Sequence, residues 1–183
     1  IYEVGGFFGT INTGTNTVTL SDCVNNGTVS GSGNEVGGFV GKINSGINTI
    51  TLSGCLNNGT VTTKSKDAGG FFGFIYNARN TTIMVSNSTN HGSVTSDSEA
   101  GGFFGGIERC RNLSITVSEC VNNGVISSQN KISGFIGIII INENTVIQFI
   151  DDQNNGTVQG SDSGSYCGGF VGEIGRASCR ERV

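Results

Sequence analysis

The sequence predicts an all-β fold, a parallel β-helix or closely related β-solenoid of about five and a half coils. Three observations lead there. The stretch Gly5-Gly6-Phe7-Phe8-Gly9 returns at 37–41, 69–73, 101–105, 133–137 and 168–172, a step of 32 residues four times and then 35. The intervening segments are rich in Gly and β-branched residues and show no apolar spacing of three and four, which excludes helical repeats of similar period. The chain has 31 Gly and no Pro or Trp, yet 35% of its residues are hydrophobic and they recur in register, so an ordered repeat is expected rather than a disordered Gly-rich tract.

Writing the repeats under one another turns the elements into columns. The first strand aligns Phe7, Phe39, Phe71, Phe103, Phe135 and Phe170, and four residues on Ile11, Ile43, Ile75, Ile107 and Ile139. Strand alternation puts Phe, the intervening Gly and Ile on one face, with the Gly leaving room for the ring. Val4 and Phe8, with their equivalents, then form an opposite apolar face that is either covered or presents a partner surface.

A polar loop such as 12–16 follows, and then a second strand with Val18, Ile50, Ile83, Ile115 and Ile147 inward. A bend at Ser21-Asp22 shifts the alternation by one residue. Beyond it Cys23, Cys55, Ser88, Cys120 and Asp152 share an inward column. Asn25, Asn57, Asn90, Asn122 and Asn154 share the next, each two residues before the Gly of a turn. An amide recurring in one place suits a side-chain ladder bonded along the stack. Between the second and third repeats the GGF to NNG spacing grows by one residue and the following segment shortens by one, so total coil length is held. Three short strands per coil are expected, with coils about 4.8 Å apart.

Residues 1–173 read as one repeat domain, expected to be a piece of a longer chain. Residues 174–183 break the composition, resemble the translation of a common short-read sequencing adapter, and are expected to be a non-native tail. The net charge is −4; setting aside the three Arg and one Glu of that tail leaves seven basic and thirteen acidic residues, or −6. No basic run offers a footprint for nucleic acid, and no apolar run approaches the roughly 18 residues of a membrane-spanning helix.

No catalytic, cofactor-binding or metal-ligating set is expected. Cys23, Cys55 and Cys120 read as small core residues, against a Cys23–Cys55 disulfide or a metal; no CxxC exists, and His91, the one His, stands where other repeats have Asn. A polysaccharide-active β-helix would need an acidic cluster on one face. Asp22, Glu119, Asp151 and Asp152 lie at the bend, but Gly54 and Asn87 interrupt them and no cation recurs alongside. Thr17, Thr19, Thr49 and Thr51 are similar to ice-binding arrays, which later repeats do not maintain. Asn-x-Ser/Thr acceptors occur at Asn26, Asn58, Asn80, Asn87, Asn112 and Asn155; outward Asn26, Asn58 and Asn155 are candidate glycosylation sites, against plain turn chemistry.

The x-G-G-F-Φ-G core followed by C-x-N-x-G-x-V resembles GLUG-motif repeats of cell-surface and secreted proteins, over residues 1–173. Phe stands where that motif usually has Leu, and the repeat is longer. There is a looser likeness to the GGA(I/L/V) and FxxN repeats of autotransporter passengers. These resemblances imply an extracellular or cell-surface protein and hand over no catalytic residue. The function expected is a structural or adhesive module, a spacer or binding stalk. Loops 12–16, 44–47 and 108–112 would contact a cell-surface glycan or protein, and further repeats of the same chain would be its other partners.

Overall fold

In the computed structural model, which describes residues 3–140, 142–161 and 163–175, every regular element is a β-strand. The chain winds as a β-solenoid, and each segment pairs in parallel with its counterparts one coil away, in register. The expected three strands per coil resolve into five segments. In the second coil these are Glu35–Gly37, Val40–Asn44, Ile47–Ser53, Leu56–Asn57 and Val61–Thr63. Stacking the equivalent segments gives five parallel sheets, two of six strands and three of five.

The corners explain why the strands are short. Gly6-Phe7 and its equivalents interrupt the pairing between the first and second segments. The next corner uses the left-handed region at Ser45, Asn77 and Arg109, with φ of 60°, 52° and 57°. The bend after the long third strand does the same at Asp22, Gly54, Asn87, Glu119 and Asp151, with φ between 48° and 64°. Small polar residues and Gly tolerate this conformation best, which accounts for most of the residues found there. The extra residue of the third coil is absorbed after Tyr76, since Tyr76 pairs with Asn44 while Ile83 pairs with Ile50; it is given back before Glu99, which pairs with Asp67.

The GGFFG stretch is a corner rather than one continuous strand, and this corrects the expected division of faces. Phe7 and Phe8 do not oppose each other: the columns of both, with the Ile11 column, enter one large core. The Val4 column instead packs with Val29, Val61, Val94 and Ile126 in a second, smaller core. Both apolar faces are therefore covered in the second to fifth coils, while Phe7 and Phe8 of the first are exposed. The Gly before the Ile does not make room for a ring either. A Cβ on Gly41 would stand 2.6–2.7 Å from Gly9 O and the backbone of Val4, so its absence lets two strands approach.

Phe7, Phe39, Phe71, Phe103, Phe135 and Phe170 form an unbroken stack with ring centroids 4.7–4.8 Å apart and planes within 10° of parallel. The rung spacing of a parallel sheet sets that distance, and it falls within the range of offset stacking. Ile174 and Gly175 continue the second sheet, pairing with Ile139 and Ile140; the rest of the expected non-native tail, 176–183, lies outside the described residues.

Candidate binding surface

The strongest polar feature of the interior is structural. The Asn25 side-chain amide donates to Asn57 Oδ1, Asn57 to Asn90, Asn90 to Asn122 and Asn122 to Asn154, each at 2.8 Å. Asn57 and Asn90 also donate to Gly59 O and Gly92 O at 3.1 and 3.0 Å, tying the ladder to the turn that follows. Across the coil the second Gly of each GG pair lies against this ladder. A Cβ on Gly38, Gly70 or Gly102 would sit 2.7–2.8 Å from the amide of Asn57, Asn90 or Asn122. The GGF and NNG motifs are thus two halves of one contact. A second amide column went unseen in the sequence: buried Asn48 accepts from Asn16 at 2.8 Å and donates to Thr81 Oγ1 at 3.2 Å.

The acidic bend is a backbone feature. Asp22, Glu119 and Asp151 share the left-handed corner with Gly54 and Asn87. Asp152 stays in the Cys column, half-buried, because its carboxylate accepts backbone N–H groups of Cys120 at 2.8 Å and Ile150 at 3.0 Å. Burial pushes its carboxyl above the usual range despite those bonds. Ser88 does the same work in the third coil, accepting from Cys55 N at 3.1 Å.

Cys23, Cys55, Cys110, Cys120 and Cys167 are free thiols. Burial raises Cys55, and pushes Cys110 up to about 11 and Cys120 up to about 12. His91 is exposed at its turn, and among the described residues no three His, Cys, Asp or Glu converge as metal ligands.

On the outside, the long third strands present Thr17, Thr19 and Ser21 in register with Thr49, Thr51 and Ser53, then Thr82, Met84 and Ser86, then Ser114, Thr116 and Ser118. This face carries a hydroxyl at every one of these positions except Met84 and bears no charge; Val146, Gln148 and Ile150 end it. Asn26, Asn58 and Asn155 are exposed on the turn edge, where Asn58 donates to Asn26 at 2.9 Å and Asn155 to Asn123 at 3.3 Å.

The loops expected to hang from an edge are tight corners, and one of them gathers charge. Arg79, Arg109 and Arg111, all the arginines of the described residues, line one open depression with Asn77, Cys110 and Glu143. Arg79 and Arg111 are register partners on adjacent coils. Arg111 pairs with Glu143 at 2.9 Å, both side chains well exposed, and exposed Arg109 pairs at 3.0 Å with Glu108, which is partly buried. Arg109 also donates to Tyr76 Oη at 3.0 Å with its guanidinium 5.8 Å from that ring. Among the described residues the Arg79 guanidinium has no hydrogen-bond or ion-pair partner. The sequence hides this cluster, because Arg79 is 30 residues or more from the other two and only the coil period joins them.

A carboxylate column runs up the first sheet. Glu3 pairs with Glu35, Asp67 with Glu99, and Glu99 with Lys131. Glu35 is held by Lys42 at 3.1 Å and Glu99 by Lys131 at 3.5 Å, whereas Asp67 is 4% exposed and among the described residues no cation bridges to it. Burial first, then the charges of Glu99 and Glu35, push the Asp67 carboxyl well above its ordinary value. Glu99 Oε2 is buried without a hydrogen-bond partner among the described residues.

No family model matches this chain, and no curated protein matches it closely. A solved structure described as "a putative immunoglobulin A1 protease from Bacteroides ovatus" resembles it with a TM-score of 0.46 and 15% identity, over 92% of this chain and 67% of that one. A likeness at that level carries no argument about chemistry.

Proposed function

We propose that the chain is an exported structural and adhesive repeat module, a spacer or binding stalk at the cell surface, of the GLUG-like kind its motifs resemble. The observation that supports this reading is the continuity of the ladders. The Phe stack and the Asn ladder pass from coil to coil without a break, so each added coil lengthens the module while repeating the same contacts. Corners at 44–47 and 108–112, together with loop 12–16, then offer the variable contact edge. Asn26, Asn58 and Asn155 are placed where glycans would project from the turns.

The test is a binding screen of the immobilised chain against cells and glycans, repeated with those three segments replaced by Gly-Ser sequences. Binding that falls while the melting temperature holds supports the adhesive edge. Polysaccharide depolymerisation abolished by Glu119→Gln with Asp151→Asn would replace this reading with an enzyme.

The uncharged hydroxyl face favours a second reading, adsorption to ice. Thermal hysteresis lost in Thr49→Tyr would support it; none in the native chain would remove it.

A further inference from the structure

We propose that the arginine corner of the third and fourth coils binds a linear acidic polysaccharide through the carboxylate or sulfate groups of successive sugars. This deepens the adhesive reading and rests on it. Three features carry the inference.

The first is concentration of charge. In a chain of net charge −4, every described arginine lies in one depression, and the Arg79 guanidinium there is uncommitted among the described residues. A guanidinium presents a planar fork of donors that matches a carboxylate or sulfate with two parallel bonds. Of the other two, Arg111 pairs with Glu143 on two well exposed side chains, while Arg109 pairs with partly buried Glu108. An exposed pair is weak, so an arriving oxyanion exchanges for Glu143 on Arg111 at little cost.

The second is spacing. Arg79 and Arg111 occupy the same register position on adjacent coils, so their stems leave the backbone about one rung, roughly 4.8 Å, apart. That separation is comparable to the advance of one sugar along an extended glycan, which favours a polymer lying along the coil axis with one anionic group per rung.

The third is preparation of the site. Tyr76 holds Arg109 by a hydrogen bond and by its ring face, so that guanidinium is oriented before a ligand arrives. The neighbouring backbone is fixed, since Cys110 N donates to Asn142 Oδ1 at 2.8 Å beneath the depression. The ligand therefore meets a largely formed surface and little ordering cost opposes it.

The experiment measures binding of the whole chain to heparin, to polygalacturonate, to neutral dextran and to polyglutamate, at low and at physiological salt. Binding to one or both anionic glycans, weakened about tenfold for each of Arg79→Ala and Arg111→Ala, is expected. Dextran should not bind, and affinity should fall as salt rises. Preference for heparin or for polygalacturonate names sulfate or carboxylate as the group recognised. Both arginines are exposed, so unchanged thermal melting shows that the variants fold, and Arg79→Lys should retain part of the affinity. Polyglutamate bound as tightly as the glycans overturns the polysaccharide in favour of an acidic protein. No binding to either anionic glycan also overturns the proposal. Glycan binding untouched by the arginine variants overturns the site while leaving the adhesive reading in place.

Discussion

Replacing Asn90 by Ala removes a ladder rung at its most buried point. Asn90 is fully buried, and its side chain makes three bonds: it accepts from Asn57, donates to Asn122 and donates to Gly92 O. Each is worth about 1 kcal/mol net, and any partner left unsatisfied in the interior adds to that, giving a loss of about 3–5 kcal/mol. Asn25 is the internal control. It stands at the end of the ladder, slightly exposed, with one ladder bond and a bond from Gly27 N at 3.2 Å, so Asn25→Ala should cost about 1–2 kcal/mol. Urea unfolding of the two variants reads the difference as a shift in midpoint at constant slope. Asn90→Asp sharpens the test, because a carboxylate oxygen in place of the amide nitrogen faces Asn122 Oδ1 and Gly92 O with no proton between them. It should be at least as damaging at neutral pH and partly relieved in acid. Equal losses for Asn90→Ala and Asn25→Ala would show that the amides fill space without bonding along the stack.

Other consequences can be checked in the same preparation. Gly70→Ala places a Cβ 2.1 Å from Gly102 O and 2.8 Å from the Asn90 amide, so it should destabilise by more than the Asn90→Ala loss, read by the same urea midpoint. Asp67 has a raised carboxyl in the folded chain, so the unfolded chain releases its proton first as pH rises above about 3.8. Stability contributed there is full below that pH and is lost as pH climbs toward the folded value. Asp67→Asn should therefore stabilise at neutral pH relative to the native chain, with the gain fading in acid; a variant less stable at every pH would contradict this. Alkylation at pH 8 should label exposed Cys167 readily and leave Cys55, Cys110 and Cys120 unmodified until urea unfolds the chain, as mass spectrometry of the peptides would show.

What the columns made legible is what repeats at the coil period. The Phe7 to Phe170 and Asn25 to Asn154 positions could be aligned from the sequence because one residue type recurs at one phase. The bend at Asp22 was readable from a parity change. The five-segment coil was not, because corners built on positive φ at Ser45, Asn77 and Arg109 share no residue type. The contact between Gly70 and Asn90 spans the interior of a single coil, and column alignment compares coils rather than crossing them. Asp67 and Glu99 were invisible as a pair for a different reason: their column runs Glu3, Glu35, Asp67, Glu99 and then Lys131, and only burial and the ion pairs show that Asp67 has no cation bridge among the described residues. The arginine corner is joined only by the coil period, which sets Arg79 beside Arg111 at one register position 32 residues on.

Pulling single molecules along the coil axis tests the central claim most directly, that each coil is held by the same contacts to the next. One 32-residue coil extends to about 115 Å and gives up one rung of about 4.8 Å, so the account predicts length released in multiples of about 110 Å at clearly resolved force. Extension at near-zero force, or released lengths unrelated to the coil, would contradict it.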